Sequence, residues 1–429
     1  MVQGRIKFLV LTAVILILQG CSKTPEEHLI DTLESRYANL YVNEEHKRSV
    51  IALLETYFQN NNLTQENSKQ IKDILHRLGD GHVVLYNKEF LTEPHYLSSL
   101  EFYPGSEYVK SCLQCSPVIE NGKYEIVEVN KLSLRDFIDE NLNSFAASSV
   151  WGREYRILRS LVENENPKNI TLKLKDNSGR TINTDLLWNK KDLAQTECVT
   201  GERISENIFR LNILSLWCDD RRIENEGRDL IFENFKSQFD RVLEDAKETD
   251  MIILDLRENG GGGDLEVEYV LNTFNQHSTF MYKYQYLRRN SPGIMKWIEA
   301  YLPFQFQLWA NEEYMNSDPQ KGAKHRFYDN KIVTLISSGC FSSCEGLAST
   351  LKLENRSILL GSKTHGGAGD PLLLPIQGTP FLLNIPMCIV WQKDGNLFEG
   401  RGVYPTLEVV QNFAENSDTV LNFAIDQAQ

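Results

Sequence analysis

Two apolar runs constrain this chain more than any other feature. Met251-Ile252-Ile253-Leu254-Asp255-Leu256 is almost continuously apolar, and Lys331-Ile332-Val333-Thr334-Leu335-Ile336 repeats the pattern. A strand with one face in water alternates apolar and polar residues, whereas a strand covered on both faces does not. The two runs therefore predict strands of a sheet buried on both sides. Helices to cover it are legible in the same stretch. Ile231, Phe235, Phe239, Val242, Leu243 and Ala246 fall on one helical face. A second helix is predicted from about Asp264 and a third from about Ser343 to Leu353. Ser357-Ile358-Leu359-Leu360 reads as a further strand, and this alternation predicts an α/β sheet with helices packed on it.

The chain is longer than that unit. Its 429 residues, 41% hydrophobic and 24% charged, suit a folded body of two or three domains. The net charge of −14, with no basic stripe, argues against nucleic acid as a partner. Residues 21–98 read as a helical region. Val50, Leu54, Tyr57 and Phe58, then Ile71, Ile74, Leu75 and Leu78, recur at helical spacing, with Thr64 the expected N-cap between them. Gly79 supplies the stop, Asp80-Gly81-His82 a tight loop, and Val83 to Tyr86 a strand. Residues 99–192 read as a small α+β module, from the alternation in Tyr124–Asn130 and Asn169–Leu174 and the turn Asp176-Asn177-Ser178-Gly179. A ligand-gripping module of the PDZ type and a structural insert both fit; a Gly-Leu-Gly-Phe-like carboxylate loop is missing. Residues 193–429 carry the α/β core.

The first residues read as an export signal. Arg5 and Lys7 precede the apolar stretch Phe8–Leu18, interrupted only by Thr12. Eleven residues rise about 16 Å as a helix, short of the roughly 30 Å of a hydrocarbon core. Leu18-Gln19-Gly20-Cys21 resembles the lipobox of bacterial lipoproteins, which implies removal of residues 1–20 and acylation of Cys21. Several acyl chains on one cysteine hold a protein at a bilayer. The expectation is a body lipid-anchored in the bacterial envelope outside the cytoplasm. Ser22 is not the acidic residue linked to inner-membrane retention, which favours the outer membrane.

Export permits disulfides among the remaining cysteines, 112, 115, 198, 218, 340, 344 and 388. Seven is an odd number, so at least one is left over within the chain. Cys112-Leu113-Gln114-Cys115 has redox or metal-ligand spacing, but no second such pair supplies further ligands. A local disulfide or buried thiols are expected there, and no metal.

The chemistry is expected at the ends of the buried strands. Asp255-Leu256-Arg257-Glu258-Asn259 leaves one strand and enters Gly260-Gly261-Gly262-Gly263, where missing side chains let backbone N–H groups approach a ligand oxygen. The Lys-Ser/Thr that closes a phosphate loop is absent, as is a dinucleotide pattern. Ser338-Gly339-Cys340-Phe341-Ser342-Ser343-Cys344-Glu345-Gly346 joins a strand to a helix N-terminus, where a serine is either a nucleophile or a plain N-cap. His82, in its glycine-bounded loop, is a candidate base, and His365 in Thr364-His365-Gly366-Gly367 is its competitor.

These residues together resemble the C-terminal-processing and tricorn-like family of serine peptidases, the tail-specific protease type. Asp255–Gly262 resembles its Asp-Leu-Arg-x-Asn-x-Gly-Gly loop. Ser342-Ser343-Cys344-Glu345 resembles its nucleophile motif, a serine three residues before a glutamate. Gly361–Gly367 and Glu399-Gly400-Arg401-Gly402-Val403-Tyr404-Pro405 resemble the segments that follow in order. The resemblance implies a ClpP/crotonase-like core and acyl transfer from a peptide or protein substrate, with no cofactor. Ser342 is the implied nucleophile, His82 the base and Glu399 the group that orients the imidazolium. The N–H of Ser343 and one from Gly261 or Gly262 would hold the oxyanion. A Ser–Lys dyad does not fit, because Gly367 holds the lysine's place and Lys363 lies four positions early. The serine that often precedes the histidine is also missing, since that place holds Gly81. The alternative on the same fold is a catalytically silent binding lipoprotein.

Overall fold

Five strands lie parallel in one six-stranded sheet, and their order in space follows the chain: β1 (Val199–Arg203), β2 (Ile208–Ile213), β3 (Met251–Asp255), β4 (Lys331–Ile336), β5 (Ser357–Gly361) and β6 (Leu407–Glu408). Only β1 runs antiparallel to its neighbour. The structure, a computed structural model, describes residues 23–88, 96–98, 100–102, 104, 108–112, 124–164, 169–190, 197–218, 228–275, 282–286, 313–314, 327, 329–392, 394–412 and 417–427. The proposed signal, Cys21 and the Cys112–Cys115 pairing lie wholly or partly outside these residues. No helix among the described residues is long and apolar enough to cross a membrane.

The pleat explains the unbroken apolar runs. Ile252 and Leu254 of β3 and Ile332 and Ile336 of β4 enter one core. There they meet Phe235, Phe239 and Leu243 of α1 (Arg228–Glu244), Val267, Val270 and Leu271 of α2 (Asp264–Phe274), and Leu347 and Leu351 of α3 (Ser343–Leu353). Met251, Ile253, Val333 and Leu335 point the other way, onto Val420 and Ala424 of α4 (Thr419–Asp426). Each fully buried aliphatic side chain contributes about 1.5–3 kcal/mol, so burial on both faces makes this sheet the stable platform of the molecule.

One ion cluster lies within that platform. Arg257, only 1% exposed, donates to both Asp255 oxygens, with Nε–Oδ1 at 2.9 Å and Nη2–Oδ2 at 2.6 Å. It donates to both Asp418 oxygens at 2.9 and 2.8 Å, which pins α4 beneath the end of β3. Arg210 of β2 also donates to Asp255, at 2.8 Å. Burial by itself would raise the Asp255 carboxyl, but the guanidiniums of Arg257 and Arg210 outweigh it and hold it at about 2.

The N-terminal helices Pro25–Arg36, Glu44–Phe58 and Ser68–Leu75 form no independent unit. Leu29, Leu54, Ile71 and Leu75 share a core with Phe381, Leu383 and Ile385 of the hairpin Pro371–Pro375/Phe381–Pro386. Strand Val84–Asn87 completes that sheet, antiparallel to Phe381–Pro386 with Val84 opposite Asn384. This pairing carries the preceding Asp80-Gly81-His82 loop to the α/β core. Thr64 does not cap the third helix as expected. It accepts the Asn67 N–H at 3.3 Å, capping a turn, and the helix begins only at Ser68.

The middle module has the sheet order Leu100–Phe102, Tyr108–Cys112, Tyr124–Val129, Thr171–Asp176, Thr181–Asp185, with helices Leu134–Glu140 and Val150–Arg159. Strand Tyr96–Ser98, drawn on sequence into the N-terminal region, pairs with Trp188–Lys190 and Glu163–Asn164 of this module. Two disulfides lie among the described residues, Cys198–Cys218 and Cys340–Cys344, while buried Cys388 belongs to neither.

Candidate active site

The loops that follow β3, β4 and β5 leave the same edge of the sheet, the carboxyl ends of parallel strands, where open α/β folds gather their ligand sites. The β4 loop ends in Ser342, the N-cap of α3. Its backbone lies at φ 59°, ψ −126°, a region that costs a non-glycine residue about 1–3 kcal/mol. The surrounding segments hold it there. Phe341 N–H donates to Asn259 O at 3.0 Å, and Ser342 N–H donates to Gly367 O at 3.1 Å. Glu345 braces the facing loop, accepting Gly366 N–H at 3.0 Å, Gly367 N–H at 2.7 Å and the Thr364 hydroxyl at 2.6 Å. Burial pushes the Glu345 carboxyl up to about 8 against the pull of these donors.

His82 approaches from the N-terminal region. Its Nε2 is 3.2 Å from Ser342 Oγ, and its ring stacks on Phe341 at 4.4 Å and 27°. The ring is 4% exposed, so this histidine is neither a surface residue nor part of an all-apolar core. Its main chain is fixed at both ends: the N–H donates to Asp80 Oδ1 at 2.9 Å, and the carbonyl accepts from Asn384 Nδ2 at 2.8 Å. Asp80 is clamped in turn by the Tyr37 hydroxyl at 3.0 Å and Asn39 Nδ2 at 2.9 Å.

The expected contact between Glu399 and the imidazole is not made. His82 Nδ1 has no hydrogen-bond partner among the described residues, and neither has Glu399 Oε1. Glu399 Oε2 instead accepts from Asn39 Nδ2 at 3.2 Å, so one amide bridges Asp80 and Glu399. Lys47 Nζ donates to the Asn39 carbonyl at 2.9 Å. Ser148 supplies another part of this arrangement: its Oγ accepts Gly81 N–H at 2.8 Å, and its hydroxyl favours the charged form of Glu399 against burial. A Cβ at Gly81 would lie 2.9 Å from the Phe341 ring and 3.2 Å from Ser148 Oγ. Position 81 thus carries no hydroxyl, and a side chain there would press on the Phe341 ring.

Charge follows burial. Desolvation lowers His82 to about 4, with Asp80 raising it and Arg156 lowering it. Burial, then the neighbouring Asp80, pushes Glu399 well above the usual carboxylate range, with Lys47 opposing. His82 is therefore a neutral imidazole at neutral pH and can accept a proton. The plateau of kcat/KM is expected to extend down to about pH 5 and to fall with a midpoint near 4 as His82 protonates. A pH profile on protein shown by circular dichroism to remain folded checks this; a midpoint near 6.5 would mean the base is not this buried ring.

Sequence leaves Gly261 and Gly262 open as the second oxyanion donor beside Ser343, and their hydrogen bonds distinguish them. Gly261 N–H donates to Asn259 Oδ1 at 2.8 Å and is committed there. Gly262 and Ser343 remain as donors. Ser343 is the first residue of α3, where helix N–H groups lack intrahelical acceptors. Glycine is required at both loop positions. A Cβ on Gly261 (φ 95°) would lie 2.6 Å from Phe341 O, and one on Gly262 (φ 149°) would strike the Leu216 backbone. Beside them opens a cavity of about 400 Å³, lined by Ser342, Trp217, Leu265, Ala368, Val390 and Phe398 among others.

The competing bases are engaged elsewhere. His365 Nδ1 lies 3.1 Å from Ser338 O, and Phe341 stands against both its ring and that of His82. Lys363 Nζ sits over the rings of Trp151 and Tyr404, at 5.0 and 4.8 Å. Asn39, Ser148 and Arg156 were missed on sequence. Arg156 is half-buried, with its guanidinium 4.9 Å over the Phe341 ring, and donates to Gly81 O at 3.1 Å, in a helix assigned to the middle module. No group of three or more metal-ligating side chains occurs among the described residues.

Residues 229–409 match Peptidase family S41. Mature CPAF, solved in complex with lactacystin, has a similar fold, with a TM-score of 0.66 at 16% identity over 94% of this chain and 96% of that one. A protein described as an S41 protease from Bacteroides fragilis NCTC 9343 gives 0.52 at 14% identity, over 93% and 96%. The photosystem II D1 C-terminal processing protease gives 0.50 at 13% identity, over 93% and 97%. At such identities the likeness is one of fold.

Proposed function

We propose that this chain, a serine peptidase whose residues 229–409 form a peptidase family S41 domain, hydrolyses extended peptides or protein tails through an acyl-enzyme on Ser342. The observation that carries this reading is the 3.2 Å approach of His82 Nε2 to Ser342 Oγ beside the amides of Gly262 and Ser343. Ser342 Oγ attacks the carbonyl carbon of the scissile bond as His82 takes its proton. The carbonyl oxygen, now negative, is held by the two N–H groups. Losing one such donor typically costs about 3 kcal/mol in the barrier. His82 then passes the proton to the leaving amine and activates the water that releases the acyl group.

The neighbours of His82 matter at the moment it becomes charged. The imidazolium forms beside Asp80, and Ser148 and Asn39 hold Glu399 nearby. The cavity, lined by Ala368, Val390 and Phe398 together with Asp264 and Asp370, would seat a substrate side chain. Acylation at Cys21 would tether the body to the bacterial envelope, with the middle module available to select substrate in the manner of a PDZ domain. The unpartnered His82 Nδ1 is the observation that favours the silent binding alternative.

A fluorophosphonate probe separates the two readings. Folded wild-type protein is expected to take one label, on Ser342, and to cleave an unfolded protein such as casein; Ser342→Ala is expected to do neither. Absence of label on folded wild type would favour the silent binder.

A further inference from the structure

The turn that carries Ser342 has a covalent closure that the reaction above does not use. A disulfide joins Cys340 to Cys344, four positions apart, with Ser342 midway between them. Both cysteines are fully buried, in the core that also holds Leu256, Leu347 and Phe398. The stabilisation a disulfide gives by restricting the unfolded chain grows with the loop it closes. Cys198–Cys218, with a separation of 20, is the bridge suited to that task. The loop from 340 to 344 closes fewer residues and contributes less in this way, and its closure also constrains the turn itself.

The geometry in question is one that serine does not adopt unaided. Ser342 is held at positive φ by hydrogen bonds to other segments, Phe341 N–H to Asn259 O, Ser342 N–H to Gly367 O and His365 N–H to Cys340 O, and by two within the turn, Cys344 N–H to Phe341 O at 3.2 Å and Glu345 N–H to Ser342 O at 2.9 Å. The disulfide is the covalent tie between the strand side and the helix side of the turn itself. Without it the turn is held by hydrogen bonds alone, and Ser342 can relax toward negative φ. That rotation moves its Oγ relative to His82 Nε2, and moves the Ser343 N–H in the same motion.

We propose that the Cys340–Cys344 disulfide is a positioning element of the active site, so that Ser342 reacts at its full rate only while these two sulfurs are oxidised. The proposal rests on the reading of Ser342 as nucleophile. The switching step is thiol–disulfide exchange with a dithiol reductant. The protein S–S bond breaks, two electrons and two protons pass from the dithiol to Cys340 and Cys344, and an S–S bond forms in the reductant.

The test uses the full chain, both as wild type and in a Cys198→Ala/Cys218→Ala background. Because the sulfurs are buried, the dithiol is applied in mild denaturant and the protein returned to buffer, with near-ultraviolet circular dichroism verifying the fold. Fluorophosphonate labelling rate and peptide hydrolysis are measured before and after, and alkylation with mass spectrometry assigns the thiols. Reduction of Cys340 and Cys344 is expected to lower kcat and the labelling rate by about ten- to a hundredfold with KM little changed. Reoxidation is expected to restore both. Cys340→Ala/Cys344→Ala is expected to start at the low rate and not to respond to dithiol; should it fail to fold, the reduction of wild type decides. Full activity in folded protein lacking the bond overturns the positioning role. Oxidised wild type that neither labels nor hydrolyses overturns the nucleophile reading and this proposal with it.

Discussion

Replacing His82 with Ala is expected to lower kcat on the order of 10⁴- to 10⁶-fold, the range found when a serine hydrolase loses its base. The size of the effect follows from the absence of a substitute. His365 is held at Ser338 O behind the Phe341 ring, and the Lys363 ammonium sits between two aromatic rings. Neither is hydrogen-bonded to Ser342. Lys363→Ala is therefore expected to leave kcat unchanged, and this pairing distinguishes a histidine base from a lysine base. His82→Ala removes the stacking on Phe341, but the hairpin pairing from Val84 onward is retained, so the variant is expected to fold. Steady-state peptide hydrolysis and the fluorophosphonate labelling rate provide the measurement. A loss of tenfold or less would remove His82 from the mechanism.

Arg257→Ala is expected to destabilise the protein by about 3–5 kcal/mol, because removing one partner leaves buried charge uncompensated. Asp255 would keep Arg210 and the main-chain N–H of residue 257, and Asp418 would lose two hydrogen bonds that hold α4 under the sheet. The loss is pH-dependent. In wild type the folded Asp255 carboxyl, at about 2, lies below its ordinary value of 3.8. The unfolded chain therefore binds the proton first, and the stability contributed by this group is present above about pH 4 and lost as pH falls toward 2. Without Arg257 that acid-side loss shrinks, because burial then opposes the charged form. Urea unfolding at pH 7 and at pH 3 checks both statements. A change under about 1 kcal/mol at pH 7 would mean that water reaches the cluster and replaces the guanidinium.

Much of the α/β core was legible because its cause is local. A strand that buries both faces must be apolar at successive positions, and Met251–Asp255 and Lys331–Ile336 are. A helix that covers a sheet must repeat at its own period, as Phe235, Phe239 and Leu243 do. The Asn259–Gly263 loop and the Ser342 turn were visible for a related reason. Backbone at positive φ, or packed against another backbone, needs glycine or carries strain, and both leave a mark in consecutive residues. The Thr64 cap was misplaced because a threonine serves a turn as readily as a helix.

The middle module shows how the same reasoning falls short. Its alternating strands were readable, yet its helix Val150–Arg159 turned out to brace the active-site loops. Ser149 donates to His365 O, Trp151 to Thr364 O at 2.6 Å, and Arg159 to Glu258 at 2.8 Å. The spacing of that helix reports that one face is buried, and says nothing about which loops lie against it.

By itself the sequence determined the two-faced sheet, the glycine loop after β3, the serine at the start of α3 and the histidine loop after Gly79, since each is written in neighbouring residues. Only the tertiary structure decided that Ser148 accepts the Gly81 N–H, that Asn39 bridges Asp80 and Glu399, that Gly261 is committed to Asn259, and that a disulfide spans the nucleophile. Periodicity and turn chemistry record how much of a side chain is buried and what its backbone must do. They carry no information about which distant segment arrives to satisfy a buried polar atom, because that choice is made by packing across hundreds of residues.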